Sequence, residues 1–257
     1  MDLKLRGRCA VVAASTSGLG LAAARALAEE GAQVVIVGRR SQLASRLAAE
    51  LPNAIGIGAD LTTDDAVDRV CKDAEEAFGG VDIVILNSGG PVPAQAATVE
   101  QEEIMSAIEL ILLPAVKLVR RTVGPMRARG WGRVIAIGSS GVVQPIEGLV
   151  TSNMARSALW AYLKTLAGEV AAEGVTVNML IPGRLATERV AQLDAARASS
   201  SGEDVAAIKA RSESSIPTGR YGDPSELGKM VAVLASDAAS YVTGSMMRVD
   251  GGLIRSN

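Results

Sequence analysis

Apolar residues along the chain follow two alternating patterns. The runs CAVVAA (9–14), QVVIVG (33–38), NAIGIGAD (53–60), VDIVILN (81–87), WGRVIAIGSS (131–140), GVTVNMLIPG (174–183) and SMMRVDGG (245–252) are short and mostly unbroken. They predict strands buried on both faces, because a strand with one wet face would alternate. Between them the apolar positions recur every three or four residues, which predicts helices. LAAARALAEE (21–30) closes on Gly31, and Leu43, Leu47 and Leu51 follow Ser41 as an N-cap. Thr62 or Thr63 is expected to cap a helix with Asp64 and Asp65 in its first turn, ended by Gly79–Gly80. A capping box of Thr98 and Gln101 opens a long helix through Ile104, Ile108, Leu112, Ala115 and Val119, which Pro114 bends. Further helices are expected over 152–173 and 224–237, and SSSG (199–202) divides the polar segment 185–215 into two short ones. Strands joined by such helices pair in parallel through right-handed crossovers. The expected fold class is α/β: one doubly wound domain over 1–257, with a mostly parallel seven-stranded sheet and helices on both faces.

Composition narrows the picture without changing it. Hydrophobic residues make up 48% and aromatic residues only 2%, so the core must be aliphatic, which suits a helix-covered parallel sheet. A net charge of −2 with no basic block excludes the electrostatic footprint of a nucleic-acid partner. Histidine is absent, which removes the commonest metal ligand and general base, and no metal site is expected. Cys9 and Cys71 are expected to be reduced, buried thiols. MDLKLRGR lacks a signal-peptide core and no run reaches membrane-spanning length, so a cytoplasmic protein without a membrane partner is expected.

Candidate chemistry begins after the first strand. AASTSGLG places Gly18 and Gly20 where a helix opens, and unpaired N–H groups at a helix N-terminus favour a pyrophosphate. The second strand ends VGRR. Gly38 stands where a carboxylate would bind the adenosine ribose of NAD, and Arg39 and Arg40 follow, either as solvated arginines or as a clamp on a 2′-phosphate. NADP(H) is therefore preferred, with NAD(H) as the alternative.

With these residues in place the chain resembles the short-chain dehydrogenase/reductase family, in particular its 3-oxoacyl-ACP reductase-like branch, and so implies a Rossmann fold. AASTSGLG is similar to the family's Thr-Gly-xxx-Gly-x-Gly turn, with Ala13–Ala14 in place of Thr-Gly. Asp60–Leu61, LNSG (86–89), Asn178, the segment from Pro182 to Thr187, and GRYGDPSEL (219–227) match in order. The resemblance implies cofactor contacts at Ser15, Ser17, Gly18, Leu19, Gly20, Arg39, Arg40, Asp60, Leu61, Asn87, Gly89, Arg156, Pro182, Gly183 and Thr187. It also implies a homotetramer, or a dimer, assembled through the helices of 98–123 and 152–173.

Departures fall on the reaction itself. The family's Asn-Ser-Tyr-Lys tetrad aligns with Ile111, Ser139, Ser152 and Arg156, so three of its four members are replaced. Ser139, Ser152 and Arg156 are the candidate catalytic residues, with the serines polarising a carbonyl oxygen and Arg156 standing in for lysine. Tyr162 is expected to face elsewhere on its helix, Tyr241 belongs to the structural C-terminus, and Glu147 and Arg184 fall in loops near the pocket. The expected function is an NADP(H)-dependent oxidoreductase acting on a small-molecule or acyl carbonyl, with 185–215 covering the substrate. Two alternatives stay open: a cofactor-binding homologue without redox turnover, and a non-redox lyase or dehydratase on the same scaffold.

Overall fold

In the computed structural model, which describes residues 2–255, the seven apolar runs become strands β1 (Cys9–Val12), β2 (Gln33–Gly38), β3 (Ala54–Gly58), β4 (Ile83–Leu86), β5 (Gly132–Ile137), β6 (Val175–Pro182) and β7 (Met246–Val249). They form one sheet in the order β3-β2-β1-β4-β5-β6-β7, and every pairing is parallel. The order reverses between β1 and β4, so the crevice above their carboxyl ends is the place where such sheets take ligands. All of β1, β4, β5 and β6 is buried, as unbroken apolar runs require.

Helices α1 (Gly18–Glu29), α2 (Ser41–Ala49), α3 (Ala66–Phe78), α4 (Gln101–Ala107), α5 (Leu113–Ala128), α6 (Val150–Val170), α7 (Glu188–Ser201), α8 (Val205–Ser214) and α9 (Pro224–Ala235) complete the chain. Their apolar stripes build two cores, one on each sheet face. Val70, Leu118 and Leu163 of α3, α5 and α6 fill one, and Leu27, Ala44 and Val231 of α1, α2 and α9 fill the other. Gly202, at φ 73°, ends α7 where the SSSG break was expected. Cys9 and Cys71 are buried free thiols, which desolvation pushes up to about 12 and about 11. Among the described residues no helix is long and apolar enough to cross a membrane.

Several helix starts differ from the sequence reading, each for a local reason. Thr62 donates its N–H and hydroxyl to Asp60 Oδ1, so it cannot cap; α3 starts at Ala66 behind Asp65, with Asp68 in its first turn. The N-cap of α2 is Arg40, and Ser41 is already helical. The box at α4 pairs Glu100 with Glu103, whose carboxylate accepts the Glu100 N–H at 2.9 Å; Thr98 N–H is engaged in a turn to Gln95. The long helix is divided by a π-helical turn, Ile108–Leu112, in which Leu113 N–H reaches back to Ile108 O. Pro114 follows directly in the first turn of α5, where its missing N–H costs least. α6 begins at Val150, two residues earlier than expected, so Ser152 lies inside the helix and is not its cap.

Candidate active site

A cleft of about 1970 Å³ runs above the carboxyl ends of β1, β2, β4, β5 and β6. It is large enough for a dinucleotide and a second molecule. At one end the backbone turns sharply between β1 and α1. Gly18 adopts φ 55° and Ser17 is an extended N-cap whose side chain makes no capping bond. The first N–H groups of α1 are thus left for an outside acceptor, and Ser17, Gly18 and Leu19 line the cleft there.

Two residues assigned to the cofactor by sequence leave that role. Ser15 is fully buried: its hydroxyl donates to Val12 O at 2.6 Å and accepts from Val37 N–H at 3.0 Å, while its own N–H bonds Val37 O. It stitches β1 to β2, and its hydroxyl proton and N–H are both committed there. Gly20 also lies behind the wall, where a Cβ would come within 2.6 Å of Ala14 O and 2.7 Å of Asn87 Nδ2. Its glycine serves close packing. Asn87 Nδ2 in turn donates to Ala14 O at 3.1 Å, which holds the turn against the end of β4.

Arg39 and Arg40 line the cleft beyond β2, with Arg40 donating to Thr16 Oγ1 at 3.4 Å. A side chain at Gly38 would meet Thr16, whose Cγ2 lies 2.6 Å from the Cβ position. Asp60 and Leu61 close this end; the Thr62 hydroxyl and N–H, and more weakly Arg39, hold the Asp60 carboxyl below its ordinary range. Pro182, Gly183 and Thr187 form the wall after β6. The Thr187 hydroxyl caps α7 by accepting from Val190 N–H, and its Cγ2 sits 3.8 Å from the missing Cβ of Gly18. Asn178 is structural: it is buried and bonds Val242 O and Ser245 N–H.

Ser139, Ser152, Arg156 and Gly89 all line the cleft, and Arg156 bridges Ser152 and Gly89. Ser139 Oγ accepts from Gly141 N–H at 3.1 Å. Arg156 Nε donates to Ser152 Oγ at 3.3 Å, Nη1 to Ile137 O at 3.1 Å and Nη2 to Gly89 O at 3.4 Å. The Arg156 side chain is buried and has no carboxylate partner among the described residues. Desolvation, reinforced by the nearby Arg189 charge, pulls its guanidinium down to about 10. At neutral pH it is still a cation.

Ile111 lies in the π turn with only 2% exposure, so an apolar side chain occupies the place where an amide was absent from the sequence. Tyr162, on α6, packs against the core and Tyr241 is fully exposed; neither reaches the cleft. Glu147 lines the cleft, as does Arg184. The Arg184 guanidinium is already committed, at 2.6 Å to Asp194 Oδ1 and 2.9 Å to the Tyr221 hydroxyl, which itself donates to Asp194 Oδ2. This buried triangle pins α7 to the loop before it and to the connection between α8 and α9. Sequence reading missed both Asp194 and Tyr221. The available signal was an acid placed among apolar positions of a polar helix. It also missed Arg189, which reaches from α7 across the cleft to Pro91 O at 3.3 Å.

A family model described as enoyl-(acyl carrier protein) reductase matches residues 13–254. The uncharacterized oxidoreductase YvrD of Bacillus subtilis is 33% identical over 263 aligned positions, covering all of both chains. The 3-oxoacyl-[acyl-carrier-protein] reductase FabG of Vibrio cholerae is 31% identical, over 98% of this chain and 99% of its own. The crystal structure of L-sorbose reductase from Gluconobacter frateurii, complexed with NADPH and L-sorbose, superposes with a TM-score of 0.94 at 32% identity over the whole of both chains. YwfH, an NADPH-dependent reductase involved in bacilysin biosynthesis, superposes at 0.92 with 25% identity, over 97% of this chain and 99% of that one. A seven-stranded parallel sheet ordered 3-2-1-4-5-6-7, a glycine turn feeding its first helix, and full-length likeness to these reductases agree: this chain belongs to the short-chain dehydrogenase/reductase family, in its 3-oxoacyl-ACP reductase-like branch.

Proposed function

We propose that this protein is an NADP(H)-dependent oxidoreductase that interconverts a carbonyl group and an alcohol on a small-molecule or acyl substrate, with Ser139, Ser152 and Arg156 as its reacting centre. The observation that carries this reading is the state of the two hydroxyls. Ser139 Oγ accepts a backbone N–H and Ser152 Oγ accepts Arg156 Nε–H, so each keeps its own O–H free to donate into the cleft. Two donors backed by an unpaired buried cation stabilise negative charge growing on a carbonyl oxygen, an arrangement that works best in a site of low dielectric.

The residues around the cleft fit a dinucleotide. The open N-terminus of α1 suits the pyrophosphate, Asp60 and Leu61 border the adenine end, and Gly89, Pro182, Gly183 and Thr187 border the nicotinamide end. Arg39 and Arg40 suit a 2′-phosphate, and Thr16 fills the space a ribose-binding carboxylate at residue 38 would need. When bound, the nicotinamide supplies or accepts a hydride. Ser139 and Ser152 orient the carbonyl oxygen, and Arg156 holds the ends of β4 and β5 together beneath them through Gly89 O and Ile137 O. Residues 185–215 cover the substrate: Arg189, Gln192, Leu193 and Arg197 of α7 face the cleft. Exposed Met105, Leu113 and Met154 on α4, α5 and α6 support assembly into a homotetramer through these helices.

Titration of the purified protein with NADPH and NADH, read by cofactor fluorescence, followed by a carbonyl panel, tests this reading. Tight NADPH binding with carbonyl-dependent oxidation is expected. Tight binding without oxidation of NADPH on any carbonyl would replace the reading with a redox-silent binder.

A further inference from the structure

Reducing a carbonyl requires a proton as well as a hydride, and the cleft holds few groups able to give one. Among the described residues, no tyrosine, lysine, histidine or cysteine lines it. The carboxylates of its wall, Asp60, Glu103, Glu109, Glu147 and Glu188, make no hydrogen bond to either serine, and neither do the other five arginines. One ionisable group does touch a site hydroxyl: Arg156, whose Nε–H points at Ser152 Oγ.

We propose that Arg156 is the proton donor of the reaction, acting through the Ser152 hydroxyl. The inference rests on the oxidoreductase reading of the same site and adds the source of the proton. In the reducing direction the carbonyl carbon gains the hydride supplied by a reduced nicotinamide, and the C=O π pair moves to oxygen. That oxygen takes the Ser152 O–H proton. Ser152 Oγ takes the Arg156 Nε proton, and the neutral guanidine recovers one from water entering the open cleft. The sequence is downhill in acidity, because an alkoxide is a far stronger base than a guanidine. Geometry meets the first requirement of acid catalysis, a donor within hydrogen-bond reach. Burial without a counter-ion, beside Arg189, meets the second, since it weakens the grip of Arg156 on its proton and brings it down to about 10.

The relay has a directional consequence. Reduction needs Arg156 protonated, as nearly every molecule is at neutral pH. Alcohol oxidation needs it neutral, and at pH 7 a group titrating near 10 is neutral in only about one molecule in a thousand.

The test is to measure initial rates in both directions against pH for the wild type, Arg156→Lys and Arg156→Gln, with NADPH affinity followed by fluorescence throughout. For the wild type, reduction should stay level to about pH 9 and fall roughly tenfold per pH unit above about 10, while oxidation rises tenfold per unit and levels there. Arg156→Lys should move this limb to lower pH, because a buried ammonium loses its proton more readily. Arg156→Gln should abolish the limb and cost about 10²–10⁴ in rate. A limb that stays in place in Arg156→Lys, or a Gln variant within about threefold of wild type, would overturn the relay and leave the oxidoreductase reading intact. A wild type that binds NADPH and reduces no carbonyl would overturn both. If the Gln variant fails to fold, the limb position in Arg156→Lys decides alone.

Discussion

The side-chain amide of Asn87 donates to the carbonyl oxygen of Ala14 across 3.1 Å, and Ala14 adopts φ 46° to present it. That left-handed conformation costs an L-residue roughly 1–2 kcal/mol, and Gly20 leaves just enough room for the Asn87 amide beside it. Ala14→Gly should relieve the strain and raise stability by about 0.5–1 kcal/mol, measured by urea unfolding. Asn87→Ala should lower it by about 1–2 kcal/mol and weaken NADPH binding, because the turn loses its tie to β4. Equal stability of wild type and Ala14→Gly would remove the strain argument.

Arg39 and Arg40 stand in the cleft and form no ion pair among the described residues. Replacing both with Ala should weaken NADPH binding by about 10–100-fold, the usual worth of charge-assisted bonds to a phosphate, and leave NADH affinity almost unchanged. Parallel fluorescence titrations with the two cofactors check this. Equal losses for both would assign the arginines to the shared part of the dinucleotide.

Gly38 offers a sharper cofactor test. Gly38→Asp alone should lose NADPH without gaining NADH, because its Cβ would fall 2.6 Å from Thr16 Cγ2 and 3.0 Å from Thr16 Oγ1. Gly38→Asp combined with Thr16→Gly should bind NADH more tightly than the single variant does. If the single variant already prefers NADH, the Thr16 obstacle yields more easily than its stiff β-branched side chain implies.

The Arg184–Asp194–Tyr221 triangle predicts two different costs. Asp194→Ala strands a largely buried guanidinium and should destabilise the protein by about 3–5 kcal/mol. Tyr221→Phe removes one hydrogen bond and should cost about 1 kcal/mol. Both should raise KM for the carbonyl substrate more than they change NADPH affinity, since the triangle anchors α7 and leaves the α1 turn untouched. Denaturant midpoints and steady-state kinetics measure the two effects separately.

The sheet was readable in the sequence because each buried strand is an apolar run closed by turn residues, and β1, β4, β5 and β6 are buried end to end. The glycine turn and the Ser139–Ser152–Arg156 grouping were readable from spacing and resemblance. Ser15 was misread because a serine in a phosphate loop looks the same in sequence whether its hydroxyl faces a ligand or, as here, two neighbouring strands. Helix starts at Arg40, Asp65 and Glu100 were missed because several nearby residues offered equivalent caps; Thr62 is engaged with Asp60, and neither Arg40 nor Asp65 caps with its side chain. The Asp194 triangle joins residues far apart in the chain, so no local pattern announces it.

The make-up of the cleft wall also fixes how the protein answers covalent reagents. Six arginines face the cleft and, among the described residues, no lysine or cysteine does, while Cys9 and Cys71 are sealed in the core as protonated thiols. Maleimides therefore find no accessible thiol, amine-acylating labels react only outside the cleft, and both leave the cleft untouched. A dicarbonyl such as phenylglyoxal, selective for guanidinium, can reach the exposed cleft arginines Arg39, Arg40, Arg189 and Arg197, so their protection from modification footprints occupancy of this cleft.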